Sequence, residues 1–326
     1  IIRTWAFYTM VKSHFHFGAL PWANVAISGW GLAPEGSGKI SKSRGGGPAA
    51  PLDMIERYSA DALRYWAAST GPGKDAIISE EKIRMGAKLV TKLWNVARLA
   101  GRFLEGYRPP EASARPALSP ADRWILSQAQ RLIRRATRLF RSYDYAAAKS
   151  EIEGFFWKDL ADNYLEMAKL RLYDQAGTGR AGARYALYRV LLATVKLFAP
   201  ILPHVTEEIY QALFILAEGE GSIHRARWPL PEAALEDDGA DRLGEILVGI
   251  ATAARRYKSE HNLPLGTELQ RLLLTTADPG LAEALGQAEE DIRSITRARE
   301  VEVGASLPAG LEPVREIGPV RMALAR

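Results

Sequence analysis

Residues 119–141, SPADRWILSQAQRLIRRATRLFR, open with Ser119 and Pro120 and place Asp122 in the third helical position. A helix start leaves its first amides unpaired. A serine cap, a proline at the first position and an early acid all suit that start. The stretch predicts a helix, and its neighbours repeat the pattern. Before it, Ile83, Val90, Leu93, Trp94, Ala97 and Leu104 recur at intervals of three, four and seven after a capping Ser79. After it, helices are expected over 145–173, over 183–198 as far as Pro200, and over 204–216 following Pro203. Five such helices predict a bundle.

Outward from this centre the pattern changes. Residues 1–72 mix helical and strand-like runs and read as part of an α/β domain. WANVAISGW (22–30) predicts a short buried strand, and residues 31–51 a glycine- and proline-rich loop. Two short helices follow over 51–68, the second capped by Ser59 with Asp61 in its first turn. At the other end, a helix from 241 to 261, a strand over 268–275, a helix to 295 and a strand over 299–303 predict a small α/β appendage. The expected domains are therefore 1–72, 73–230 and 240–326, in a chain that is mainly α. The chain begins at Ile1 inside what reads as a regular element, which suggests that something precedes it.

Composition narrows the chemistry. With 326 residues, 47% hydrophobic and 25% charged, the chain matches ordinary globular proteins. No apolar run approaches the ~20 residues of a membrane span, and no signal peptide opens the chain, so a cytoplasmic location is expected. Zero cysteines exclude disulfides, thiol catalysis and thiolate zinc. No zinc or other metal site is expected from the five histidines; His14 and His16 lack a third ligand. The net charge of +5 suits a polyanionic partner without requiring one.

The loop centre, GKISKSRGGG (38–47), sets Lys39 and Lys42 three residues apart among Ser41 and Ser43 on glycine hinges. A lysine is a point charge on a long stem and can follow charge building up on phosphate oxygens. Two readings fit: a loop that closes on a polyphosphate, or an ordinary solvated loop. A Walker A loop does not fit, because Ala33 and Ile40 stand where it needs glycine and serine or threonine.

KISKS (39–43) is similar to the second signature of class I aminoacyl-tRNA synthetases. IIRTWAFYTM (1–10), ISGWGL (27–32), ADALRYWAAS (60–69), KLVTKLWNVARL (88–99), FFWKDLADNYLEMAKLRLY (155–173), FAPILPHVTEEIY (198–210), SIHRARWP (222–229) and RYKSEHNLPL (256–265) resemble valyl-tRNA synthetases as an ordered series. That resemblance implies the C-terminal end of a Rossmann-type catalytic domain followed by an α-helical anticodon-binding domain. It implies ATP with Mg²⁺, valine and tRNA(Val) as partners. Lys39, Ile40, Ser41, Lys42 and Ser43 would bind ATP; Lys42 would stabilise pyrophosphate departure, with Lys39 as helper. The family usually continues Gly-Asn after Arg44, whereas Gly45, Gly46 and Gly47 follow here. The first signature, His-x-Gly-His, is absent; His14 to Gly18 is a lookalike in the wrong order. The editing insertion and most of the valine pocket are absent too, so this fragment alone is expected not to aminoacylate.

Arg131, Arg134 and Arg138 share one face of their helix. They are candidate contacts for tRNA phosphates, against the alternative of a solvated helix face. Trp94, Trp124, Phe155, Phe156 and Trp157 could stack on bases, but their helical spacing favours the core. Two other functions remain open on the sequence: a stand-alone RNA-binding module descended from a synthetase, and an isoleucyl or leucyl relative.

Overall fold

The computed structural model describes residues 2–32, 51–111, 114–307 and 314–325. The chain divides into two compact units, residues 1–48 with 70–79, and residues 49–69 with 80–326.

In the first unit a π-helical turn, Ile2–Ala6, runs into α1 (Phe7–Phe17). Gly18 ends the helix at φ 65°, returning its N–H to the His14 carbonyl. β1 (Gly31–Leu32) pairs in parallel with β2 (Ala76–Ile77). The strand expected over 22–30 does not form; those residues have no regular structure. Two local constraints stop the ladder at Gly31. The Trp30 N–H goes to the Asp75 carboxylate at 2.8 Å. At Gly29 the chain passes so close to Lys74 that a Cβ would stand 2.1 Å from its carbonyl oxygen.

The second unit is mostly helical. α2 (Pro51–Tyr58) and α3 (Ala60–Ala67) are followed by α4 (Glu80–Leu104), α5 (Pro120–Arg141) and α6 (Tyr145–Gly154). A π-helical stretch, Phe155–Tyr164, joins α6 to α7 (Leu165–Tyr173). Then come α8 (Arg180–Phe198), α9 (Pro203–Leu213), α10 (Ile215–Glu218) and α11 (Asp238–Glu260). The chain closes with β3 (Leu269–Thr275), α12 (Pro279–Gln287), α13 (Glu289–Thr296), β4 (Ala298–Gly304), β5 (Arg315–Ile317) and β6 (Val320–Ala325). The sheet order is β4-β3-β6-β5. β3 and β4 are parallel, as their helical crossover through α12 and α13 requires. β6 runs antiparallel to both β3 and β5. One apolar core extends from Leu89 and Leu93 of α4 through Ile125, Phe156, Leu187 and Leu247 to Leu272 and Met322 of the sheet.

Helix starts are satisfied as the side chains dictate. Ser119 and Asp122 form a reciprocal capping box at α5, a feature worth about 1 kcal/mol. Ser59 caps α3 by accepting from the Ala62 N–H. Asp61, expected to serve the first turn of its own helix, reaches instead to α9. Its buried carboxylate accepts from the His204 and Val205 N–H groups at 3.2 and 2.7 Å. Lys258 is buried without a carboxylate. Its ammonium donates to the carbonyls of Leu265 and Thr296, and burial lowers its pKa.

The strongest polar cluster lies where no water reaches. Arg171 of α7 donates to both oxygens of Asp122, at 2.8 and 3.0 Å, and through Nε to Asp291 of α13 at 2.9 Å. The Tyr164 hydroxyl donates to Asp122 at 2.8 Å, and the Ala121 N–H of α5 donates to Asp291 at 3.3 Å. Two carboxylates around one guanidinium leave an excess negative charge in a dry site. Burial and the neighbouring Asp122 push the Asp291 carboxyl up to about 6, against the pull of Arg171.

Two predictions follow from this packing. Gly244 of α11 faces the Trp124 indole so closely that a Cβ would lie 2.0 Å from the ring. Gly244→Ala should therefore cost roughly 1–3 kcal/mol in a denaturant titration. Asp291 has a higher pKa folded than its unfolded value of 3.8, so the folded state holds the extra proton between about pH 4 and 6. Its contribution is most favourable below that window and is lost as pH rises through it. Asp291→Asn should remove this dependence: the melting temperature of the parent, relative to the variant, should fall between pH 4 and 6. A constant difference across that range would contradict the assignment.

Candidate functional site

The lysine loop, with Lys39, Ile40, Ser41, Lys42 and Ser43, lies outside the described residues. The helices that follow it in the chain are firmly held. Besides the Asp61 contacts, Arg64 of α3 donates to the Ile201 and Pro200 carbonyls at 3.0 and 2.9 Å. The Tyr65 hydroxyl meets Glu153 of α6 at 3.0 Å, while Lys149 pairs with the same carboxylate and lies 3.7 Å from the Tyr65 ring centre. α3 is thereby fixed to α6 and to the start of α9.

On α5 the three candidate arginines separate. Arg131 binds Asp241 at 2.7 Å and also Asp238, both at the start of α11. These bonds hold its guanidinium more firmly protonated than usual. Arg134 pairs with Glu236. Arg138 is exposed and carries no ion pair among the described residues. Much of the stripe is thus neutralised by acids 102 to 110 residues further along the chain. Sequence spacing placed the arginines on one face but could not reveal those partners.

Of the aromatic candidates, Trp124, Phe155 and Phe156 are buried in the core. Trp157 is half-buried with the Lys92 ammonium 5.2 Å from its ring centre, and Trp94 is exposed. Beside Trp124 a groove of about 690 Å³ is lined by Gln128, Asp159, Arg256, Arg315 and Ile317. Burial pushes the Asp159 carboxyl up. A second cavity, about 340 Å³, lies between Gln130, Leu192, Lys196, Trp228 and Glu232. Glu232 there receives both Arg115, at 2.9 Å, and Arg189.

Sequence reasoning passed over Arg180 and Arg184 at the start of α8. Neither has a carboxylate partner among the described residues, and α8 has no acid in its first turn. Four-residue spacing at a helix start without acids was the available signal. Among the described residues no group of three His, Asp or Glu is placed to hold a metal, and no helix is long and apolar enough to cross a membrane. What the surface does offer is cations arranged on rigid helices, a chemistry for holding polyanions.

Comparison with known proteins agrees in two segments. Residues 1–79 match the family described as tRNA synthetases class I (I, L, M and V). Residues 122–273 match the anticodon-binding domain of tRNA ligase. Among curated proteins, the valine–tRNA ligase of Methanopyrus kandleri is 41% identical over all of this chain, which covers 36% of that protein. That of Thermococcus kodakarensis is 39% identical over 98% of the chain, covering 35% of the relative. A Wolbachia relative of the same name is 35% identical over 95%, covering 36%. Among solved structures, a leucyl-tRNA synthetase of Agrobacterium radiobacter K84, titled a ternary complex LeuRS-tRNA-LeuAMS, superposes with a TM-score of 0.53 at 19% identity. It covers 71% of this chain and 28% of that one, a likeness of fold. The chain spans about a third of the length of the curated relatives it matches. With both family segments in order and relatives aligned along nearly all of it, the chain is similar to one part of the valine–tRNA ligases among the class I tRNA synthetases.

Proposed function

We propose that this chain supplies the ATP-loop end and the tRNA-holding helices of an enzyme that adenylates valine with ATP and transfers the valyl group to tRNA(Val). The observation that carries the reading is the order of the pieces: KISKS at 39–43, then helices matched to an anticodon-binding domain, along a chain aligned end to end with valine–tRNA ligases. In this reading residues 1–72 close the catalytic domain, 73–230 form the anticodon-binding bundle and 240–326 an appended α/β element.

Lys42, helped by Lys39, neutralises charge on the leaving pyrophosphate, and Ile40, Ser41 and Ser43 shape the loop around the triphosphate. An ammonium that meets charge only as it develops lowers the barrier without tightening valine binding. Mg²⁺ enters as the counter-ion of ATP, not as a resident of this chain. Exposed Arg138 contacts tRNA phosphate, whereas Arg131 and Arg134 serve the α5–α11 joint and reach RNA only at the edge of their ion pairs.

The test is ATP–pyrophosphate exchange by the full-length protein that contains this chain. Valine should support exchange well above isoleucine or leucine; a preference for either of the latter would end the valyl assignment. Lys42→Ala should slow exchange by about 100-fold or more, with the valine dissociation constant nearly unchanged. Unchanged exchange kinetics would remove Lys42 from its role. Arg138→Ala should weaken tRNA binding with melting temperature unchanged, and Arg131→Ala should lower the melting temperature as well. The opposite pattern would reverse the division of labour on α5.

A further inference from the structure

A second basic surface lies at the end of the helical unit where α4 stops and α8 begins. Arg184 stacks its guanidinium 4.7 Å from the Tyr107 ring centre and donates one hydrogen bond, to the Glu105 carbonyl at 3.4 Å. One turn earlier on α8, Arg180 is close enough for its charge to act on Arg184. The Nε atoms of both arginines and the Tyr107 hydroxyl are covered yet have no hydrogen-bond partner. Burial and the like charge of Arg180 lower the Arg184 pKa. Such a pair is costly when left unneutralised.

Neither arginine has a carboxylate partner among the described residues, and Glu105 meets Arg184 through its backbone carbonyl. Asp174 accepts from the Ala176 and Gly177 N–H groups of its own loop, and Glu232 is shared by Arg115 and Arg189. The amides at the start of α8 add positive character, with no side chain capping them. Tyr173, at the end of α7, packs edge-on against Phe103 at 5.0 Å and is 56% exposed as a residue.

We infer that Arg180 and Arg184, with Tyr107 and Tyr173, form a docking surface for the phosphodiester backbone of RNA. A guanidinium offers N–H donors that match phosphate oxygens, and an exposed ring can stack on an unpaired base. An acidic peptide would use the charges and leave the ring idle, so RNA is the better fit. The inference rests on the tRNA-ligase reading for its choice of RNA.

The experiment measures binding of a tRNA transcript with a valine anticodon to the full-length protein across a potassium chloride series, with polyglutamate as competitor. The parent should bind RNA with affinity falling steeply as salt rises, and polyglutamate should compete poorly. Arg180→Gln with Arg184→Gln should weaken binding about 10-fold or more and flatten the log–log salt slope by about 1 to 2, as expected for one or two lost phosphate contacts. If that pair unfolds, Arg180→Lys with Arg184→Lys decides. A retained slope with several-fold weaker binding supports paired contacts to phosphate; unchanged affinity overturns them. Unchanged affinity and slope in the glutamine pair would overturn the docking surface while leaving the ligase reading intact. Equal displacement by polyglutamate would overturn RNA as the partner. Failure of the parent to bind tRNA at all would overturn the ligase reading, and this surface with it.

Discussion

A single guanidinium, sealed from water, ties the helical unit together. Arg171 is held between Asp122 at the start of α5 and Asp291 at the start of α13, with Tyr164 bonded to the same carboxylate. Removing Arg171 would strand two carboxylates in a dry site, a loss of about 3–5 kcal/mol in comparable pairs, whereas neutralising Asp291 leaves the Arg171–Asp122 pair balanced. Because each member belongs to a different element, the cluster fixes helix starts relative to one another more strictly than apolar contacts could. The sheet inherits that register, since α13 leads directly into β4. The arginine-bearing faces of α5 and α8 therefore stand on a frame with little freedom to shift.

Local chemistry made much of this frame readable from the residues alone. Ser119, Pro120 and Asp122 declare a helix start because each acts within one turn, and the capping box is there. The second duty of Asp122 was hidden, because its partner is 49 residues away. Asp61 was hidden in the same way, 144 residues from the Val205 amide it caps. Residues 22–30 misled because their alternation suggested a buried strand, whereas the segment is mostly exposed and the ladder stops where the Trp30 N–H turns to Asp75. The hairpin of β5 and β6 went unread: its Gly318–Pro319 turn is short, and its alternation covers only a few residues on either side.

The candidate site divided along similar lines. Lys39 to Ser43 could be read as a motif from residue types alone and lie outside the described residues. Arginines are harder, because a charge count says nothing about neutralisation. Arg131 and Arg134 looked available by spacing and are engaged by α11 and by Glu236 just before it, whereas Arg180 and Arg184 attracted no notice and have no acidic partner among the described residues. A net charge of +5 is compatible with either arrangement. Only the three-dimensional placement of Asp238, Asp241 and Glu236 separates structural cations from those left for a ligand.

If the Arg171 cluster locks distant helix starts as one unit, hydrogen exchange on Arg171→Met will show the lock released. Amides in the first turns of α5 and α13 should lose protection together, while the start of α9, held by Asp61, keeps its own. Loss confined to the neighbourhood of residue 171, or protection unchanged at both helix starts, would contradict the account.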